Sequence, residues 1–265
     1  MLQEPSRSPY DWQFFFSGFP VRVTWLFWVI SAAIGYHWAE SLHELYASRL
    51  QLETPGMPVL LAIWVAVSFV SILIHELGHA LAMRWFGTSA HIVLYHFGGL
   101  AVPDGAGAWR RPRSSSHMDQ LIISAAGPAL QLFFGISVAA IAMSLGLRIG
   151  PTANLVEKLI PLPTGDFPSN AALMALIDST VYTSIFWALL NLIPVLPLDG
   201  GRIAQCLIGQ TQGTSGHYEA TVLSIVVGII AAIYCFQGHH TMAAMFFGYF
   251  AFSNYQSLKG NHPML

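Results

Sequence analysis

Residues 59–74 run without a single charged side chain, and the next five are His75, Glu76, Leu77, Gly78 and His79. An apolar stretch of that length, carried on to Met83, meets the roughly twenty residues needed to cross the hydrocarbon of a bilayer. Ionisable groups are expensive inside such a stretch, so a chain keeps them there for polar packing across a helix bundle or for chemistry. The composition points to the same solvent. Charged residues make up 9% of the 265 positions against 54% hydrophobic ones, whereas a soluble domain carries roughly 25% charged residues to wet its surface. Lipid is therefore expected to face most of this protein.

Six apolar runs are long enough to be considered as spans: 21–39, 59–83, 121–145, 171–196, 222–236 and 241–252. The last two are short, as tilted helices or a re-entrant pair would be. The expected fold is an all-α polytopic membrane protein of about six transmembrane helices, with Trp25, Trp28 and Trp38 at the interfaces of the first. The opening residues contain Glu4, Asp11 and three prolines, unlike the basic start and apolar middle of a secretory signal, so the first span reads as an uncleaved anchor. A segment at 88–103 differs from its surroundings. Two β-prone runs, 91–97 and 100–102, flank Gly98 and Gly99, which predicts a membrane-associated strand or hairpin between the second and third spans. With no linker or repeat, residues 1–265 are expected to form one membrane-embedded domain with its core at about 59–207.

With six spans, Arg7, Arg22, Arg84, Arg110, Arg111, Arg113, Arg202 and Lys259 fall on one side and Arg49, Arg148 and Lys158 on the other. The positive-inside rule then places both termini in the cytoplasm. A net charge of -2 excludes the basic footprint of a nucleic-acid binder. Cys206 and Cys235 form no CxxC pair, so neither a disulfide framework nor a cysteine-based zinc site is indicated.

On a helix, His75 and His79 share a face at i and i+4, so both imidazoles reach one metal ion while Glu76 stands beside it. Neutral imidazoles bind zinc, and a nearby carboxylate takes a proton from water. From 11 His among 265 residues, HExxH is expected by chance about 0.01 times. A third ligand is needed, and Asp199 is the leading candidate: Pro194 and Pro197 break the helix before it, leaving it on an unwound stretch followed by Gly200 and Gly201. Spans two and four run in the same direction, so the His pair and Asp199 fall on the same, cytoplasmic side. Ala125, Ala126, Gly127 and Ala129 are small enough for close helix approach, and Pro128 is expected to bend or open the third span. The remaining histidines show no ligand spacing, with His96 beside the expected strand the one of most interest.

HELGH at 75–79 with NLIPVLPLDGGR at 191–202 resembles the site-2 protease family of intramembrane zinc metalloproteases, in its compact form without PDZ or CBS domain. HFGGLA at 96–101 and SAAGP at 124–128 resemble that family's Gly-Gly strand and Ala-Gly-Pro segments. The resemblance implies one Zn2+ per chain held by His75, His79 and Asp199, Glu76 as catalytic carboxylate, Asn191 near substrate, and hydrolysis of peptide bonds in or near the transmembrane segments of other proteins. It also implies a multi-pass protein of the cell (inner) membrane. Members often carry Asn where this chain has Gln131. The strand at Gly98 and Gly99 is expected to accept unwound substrate along its open edge. The residues alone leave two alternatives: a catalytically silent metal-binding membrane scaffold, and another membrane zinc peptidase with a different third ligand.

Overall fold

The computed structural model describes residues 4–96, 98–104, 116–149, 168–213 and 215–261. Two strands open the chain, β1 (Trp12–Phe16) and β2 (Phe19–Val23), followed by helices α1 (Trp25–Glu44) and α2 (Met57–Trp85). Strands β3 (Ala90–Tyr95) and β4 (Gly98–Pro103) come next. Helices α3 (His117–Ser144), α4 (Ala171–Asn191), α5 (Asp199–Gln212), α6 (His217–Gln237) and α7 (Thr241–Asn261) complete the described elements.

The protein is mostly helical, as expected, and α2, α3, α4 and α6 are each long and apolar enough to cross a membrane. The expected boundaries shift at both ends of the core. The first apolar run began at 21, but Val21 to Val23 are β-strand and the helix starts at Trp25. The fourth run extended to 196, but α4 stops at Asn191, ahead of the two prolines. Local chemistry sets the other starts. Ser116 and Asp119 form a reciprocal capping box at α3, and the Asn170 side chain accepts from the N–H groups of Ala172 and Leu173 at α4, satisfying donors that a helix start leaves open.

The expected hairpin is half of a four-stranded sheet in the order β1-β2-β3-β4. β1 and β2 are antiparallel, as are β3 and β4, and the middle pair is parallel, with Val21 to Val23 opposite Ile92 to Leu94. Helices α1 and α2 form the crossover that a parallel pair requires. Gly98 and Gly99 lie inside β4, opposite Tyr95 and Leu94, and the chain reverses before them. At the first hairpin, Ser17 and Gly18 both adopt positive φ, at 51° and 81°, the conformation of a two-residue type I′ turn.

Aromatic packing seats this sheet against the helices. The rings of Trp12, Trp28 and Phe69 lie within 6.2 Å of one another, joining β1 to α1 and α2 at a level about 1.7 helical turns before His75. Arg22, counted above among the orienting charges, is buried in β2 and paired at 2.8 Å with both Glu4 and Asp11. Arg110, Arg111, Arg113 and Lys158 lie outside the described residues.

Candidate active site

Ser71, His75, Gly78 and His79 occupy one face of α2, and α3 lies directly against it. A Cβ on Gly78 would overlap the Ala126 backbone, and one on Gly127 would fall on the His79 imidazole. The small residues of the Ala-Gly-Pro segment therefore let α3 approach closely enough for its backbone to serve the site. The Ile123 carbonyl accepts from His79 Nδ1 at 2.7 Å. Pro128, which α3 runs through without a break, has no N–H for the Ser124 carbonyl one turn back, so the helical ladder is open beside Ile123.

Asp199 arrives from another direction. It is the first residue of α5, so the expected unwound stretch ends at Leu198, just before it. The two following glycines serve close approach: a Cβ on Gly200 would overlap the Leu192 carbonyl, and one on Gly201 the Leu196 nitrogen. The loop 192–198 is clamped at Leu196. Its N–H donates to Ser224 Oγ of α6 at 2.9 Å, and its carbonyl accepts from Asn254 Nδ2 of α7 at 2.7 Å.

His75, His79 and Asp199 converge. Asp199 Oδ2 is 3.0 Å from His75 Nε2 and 3.3 Å from His79 Nε2, and the two Nε2 atoms are 3.1 Å apart. Tetrahedral ligands about 2.05 Å from a zinc ion stand about 3.3 Å from one another. The donor chemistry agrees with the distances. A carbonyl can only accept, so His79 Nδ1 carries its proton and, in the neutral ring, Nε2 presents a lone pair. His75 Nδ1 likewise faces an amide oxygen, Gln131 Oε1, at 2.8 Å. Two imidazole lone pairs and a carboxylate oxygen thus point at one another in a buried pocket, an arrangement that a cation completes and protein alone does not. These residues fit a metal with three protein ligands and room for a fourth.

Glu76 projects beside this cluster and is buried. Its carboxylate lies against β4, where a Cβ on Gly99 would stand 2.6 Å from its Oε1. A cavity of about 150 Å³ joins the cluster to Gly98, Gly99 and Asn191, the three residues expected to meet substrate. Asn191 spends one donor on the Trp187 carbonyl at 3.0 Å. The cavity also takes in Tyr95, Arg202, and Phe246, Tyr249 and Phe250 of α7. Arg202 was read from the sequence only as an orienting charge at the end of the 191–202 motif, and the other four were not picked out, because no local spacing ties them to the His pair. Burial and the negative charge of Glu76 push the Tyr95 phenol up to about 12, so it faces the cavity as a neutral donor. His96 lies against the Tyr95 ring, edge to face, and stands apart from the cluster capable of holding a metal.

The fold and site define a helical protein whose apolar helices are long enough to cross a membrane, with His75, His79 and Asp199 gathered where they could hold a metal ion. Residues 63–235 match Peptidase family M50, and the chain belongs to that family. A putative zinc metalloprotease of Synechocystis sp. is 33% identical over 162 residues, which are 60% of this chain and 35% of that protein. A zinc metalloprotease of Methanocaldococcus jannaschii is 26% identical over 169 residues, 63% of this chain and 40% of that protein. The matches thus span well under half the length of these curated relatives. The solved site-2 protease from M. jannaschii aligns over 93% of this chain and 94% of its own, at 19% identity and a TM-score of 0.48.

Proposed function

We propose that this chain is an intramembrane zinc metalloprotease that cleaves peptide bonds within or near transmembrane segments. His75, His79 and Asp199 hold one zinc ion, and Glu76 is the catalytic carboxylate. The observation that carries the reading is the convergence of three lone-pair donors beside a separate buried carboxylate, on a helix built to span a bilayer. Asp199 as third ligand favours this reading over a membrane zinc peptidase with a different one. The free Glu76 favours it over a silent scaffold.

Bound zinc supplies the Lewis acid that polarises the scissile carbonyl and acidifies a water. Glu76 accepts a proton from the attacking water and passes it to the leaving amine as the C–N bond breaks. β4 is an edge strand, and its Gly98, Gly99, Leu100 and Ala101 line the cavity. A substrate helix hides its carbonyls in its own hydrogen bonds, so an unwound stretch added along β4 would present one carbonyl beside Glu76 and the residues that would hold the zinc. Asn191 lines the same cavity and is placed to meet the added strand.

Taking α1 and α7 as further spans gives six, with both termini and the active site on the cytoplasmic side of the cell membrane and one domain built around residues 59–207. Ten residues separate His75 from Trp85, about 15 Å of helix rise, which sets the metal well inside the bilayer. The bilayer and transmembrane protein substrates are its partners.

The test is metal analysis of detergent-purified wild type, Glu76→Gln and Asp199→Ala, with cleavage of a single-span substrate in parallel. Zinc in the first two and cleavage only in the wild type is expected. Full zinc occupancy in Asp199→Ala would remove the third ligand from the scheme.

A further inference from the structure

Gln131 lies one turn after Gly127 on α3, so the helix face that makes room for His79 also presents Gln131 to His75. The side chain is wholly buried, so each of its polar atoms needs a hydrogen-bond partner. Its amide nitrogen is 2.8 Å from Ser71 Oγ and 3.3 Å from the Ser71 carbonyl. A carbonyl only accepts, which fixes the amide's orientation: Nε2 faces Ser71 and Oε1 faces His75. Oε1 in turn only accepts, so His75 Nδ1 must carry the proton, and the Nε2 lone pair is left for Asp199's side of the pocket. Ser71 Oγ accepts from Gln131 and lies 3.0 Å from Ser184 Oγ of α4, to which it can donate. Ser71 and Ser184 are both wholly buried.

We propose that Gln131 is the positioning residue of the metal site. Its amide oxygen, held by Ser71 and braced by Ser184, locks His75 in the Nδ1–H tautomer with Nε2 aimed at the metal. The relay spans three helices, so a metal bound through Nε2 of His75 also fastens α2 to α3 and α4. Both imidazoles are thereby backed by neutral acceptors, an amide on His75 and a backbone carbonyl on His79. Asp199 is left as the one negative ligand, which keeps the bound divalent ion a strong Lewis acid.

The inference rests on the zinc ligation proposed above, and zinc affinity separates the two. Full-length protein in detergent is stripped of metal and titrated with Zn2+ against a competing chelator, and thermal unfolding of the stripped forms is recorded alongside. Gln131→Leu is expected to weaken zinc binding about 10- to 100-fold, the range for partners behind a metal-ligating histidine. Gln131→Glu restores an acceptor for His75 while losing the donor to Ser71, so its affinity is expected within about threefold of wild type or tighter, even with a lowered unfolding temperature. A purely structural role would lower stability in both variants and leave both affinities unmoved. Unchanged affinity in Gln131→Leu, or equal weakening in both variants, overturns the proposal. Should the Leu variant not fold, Gln131→Met, unbranched and of similar length, is read in its place. A wild type that takes up no zinc is a different result, and refutes the ligand assignment itself.

Discussion

Gly99→Ala tests the role proposed for Glu76 separately from the proposed metal ligands. Gly99 sits in β4 without a positive φ, so the strand itself can hold alanine. The added Cβ, however, would stand 2.3 Å from Glu76 Cγ and 2.6 Å from its Oε1, where ordinary contact begins at 3.4 Å. The side chain must therefore retreat by about 1.1 Å, the difference between 3.4 Å and 2.3 Å. A misplacement of about 1 Å in a reacting group costs on the order of 100-fold in rate, equivalent to about 2.7 kcal/mol of transition-state stabilisation. The metal ligands are not among the atoms that the new methyl meets first. Cleavage of a single-span substrate in detergent is thus expected to fall about 100-fold in kcat/KM while zinc content stays at one ion per chain. Gly127→Ala, whose Cβ would overlap His79, is expected to do the reverse and lose zinc first. Gly248→Ala, with nothing within 4 Å of its Cβ, should change neither. Gly99→Ala activity within about threefold of wild type would refute the claim that β4 sets the position of Glu76.

Glu76→Gln is expected to retain zinc and lose cleavage by at least the 10²- to 10⁴-fold that a positioned general base contributes, measured in the same assay. Asn254→Leu removes the donor to the Leu196 carbonyl and leaves the loop before Asp199 held by the Ser224 hydrogen bond and by packing of Val195 and Leu198 against Phe247 and Phe250. A loss of about 1–3 kcal/mol in thermal stability and faster zinc release to a chelator are expected. Burial acts to raise the Asp11 carboxyl, but the Ser8 N–H and the Arg22 guanidinium outweigh it and hold the group below the usual carboxylate range. Its contribution is therefore present above the unfolded value of about 3.9 and lost as pH falls through the lower folded one. The stability advantage of wild type over Asp11→Asn should be full at about pH 6 and shrink below about pH 4; an advantage that grew on acidification would refute this assignment.

What could be read along the chain was whatever depends on residues close together in it. The apolar runs were legible as α2, α3, α4 and α6 because a bilayer imposes a length and a composition on each helix separately. His75, Glu76 and His79 were legible because one helical turn joins them, and Asp199 because two prolines and two glycines surround it. The first hairpin had a readable signal too, aromatic and β-branched residues on either side of Ser17 and Gly18, but an apolar run counted from residue 21 absorbed its second strand.

Tertiary structure alone decided the rest, because it depends on distance in space between residues far apart in sequence. Nothing near Val21 to Val23 announces that they pair with Ile92 to Leu94 and so tie the first hairpin to the strands that bring Gly99 to Glu76. Gln131 reads in the sequence as one polar residue in an apolar helix. Packing of α3 against α2 places its oxygen on His75 and its nitrogen on Ser71. Sequence alone determined that this is a lipid-embedded chain with the ingredients of a metal site. The contacts among α2, α3, α5 and β4 decided that the ingredients meet with their lone pairs inward, since hydrogen-bond direction is a property of the folded pair and of neither residue alone.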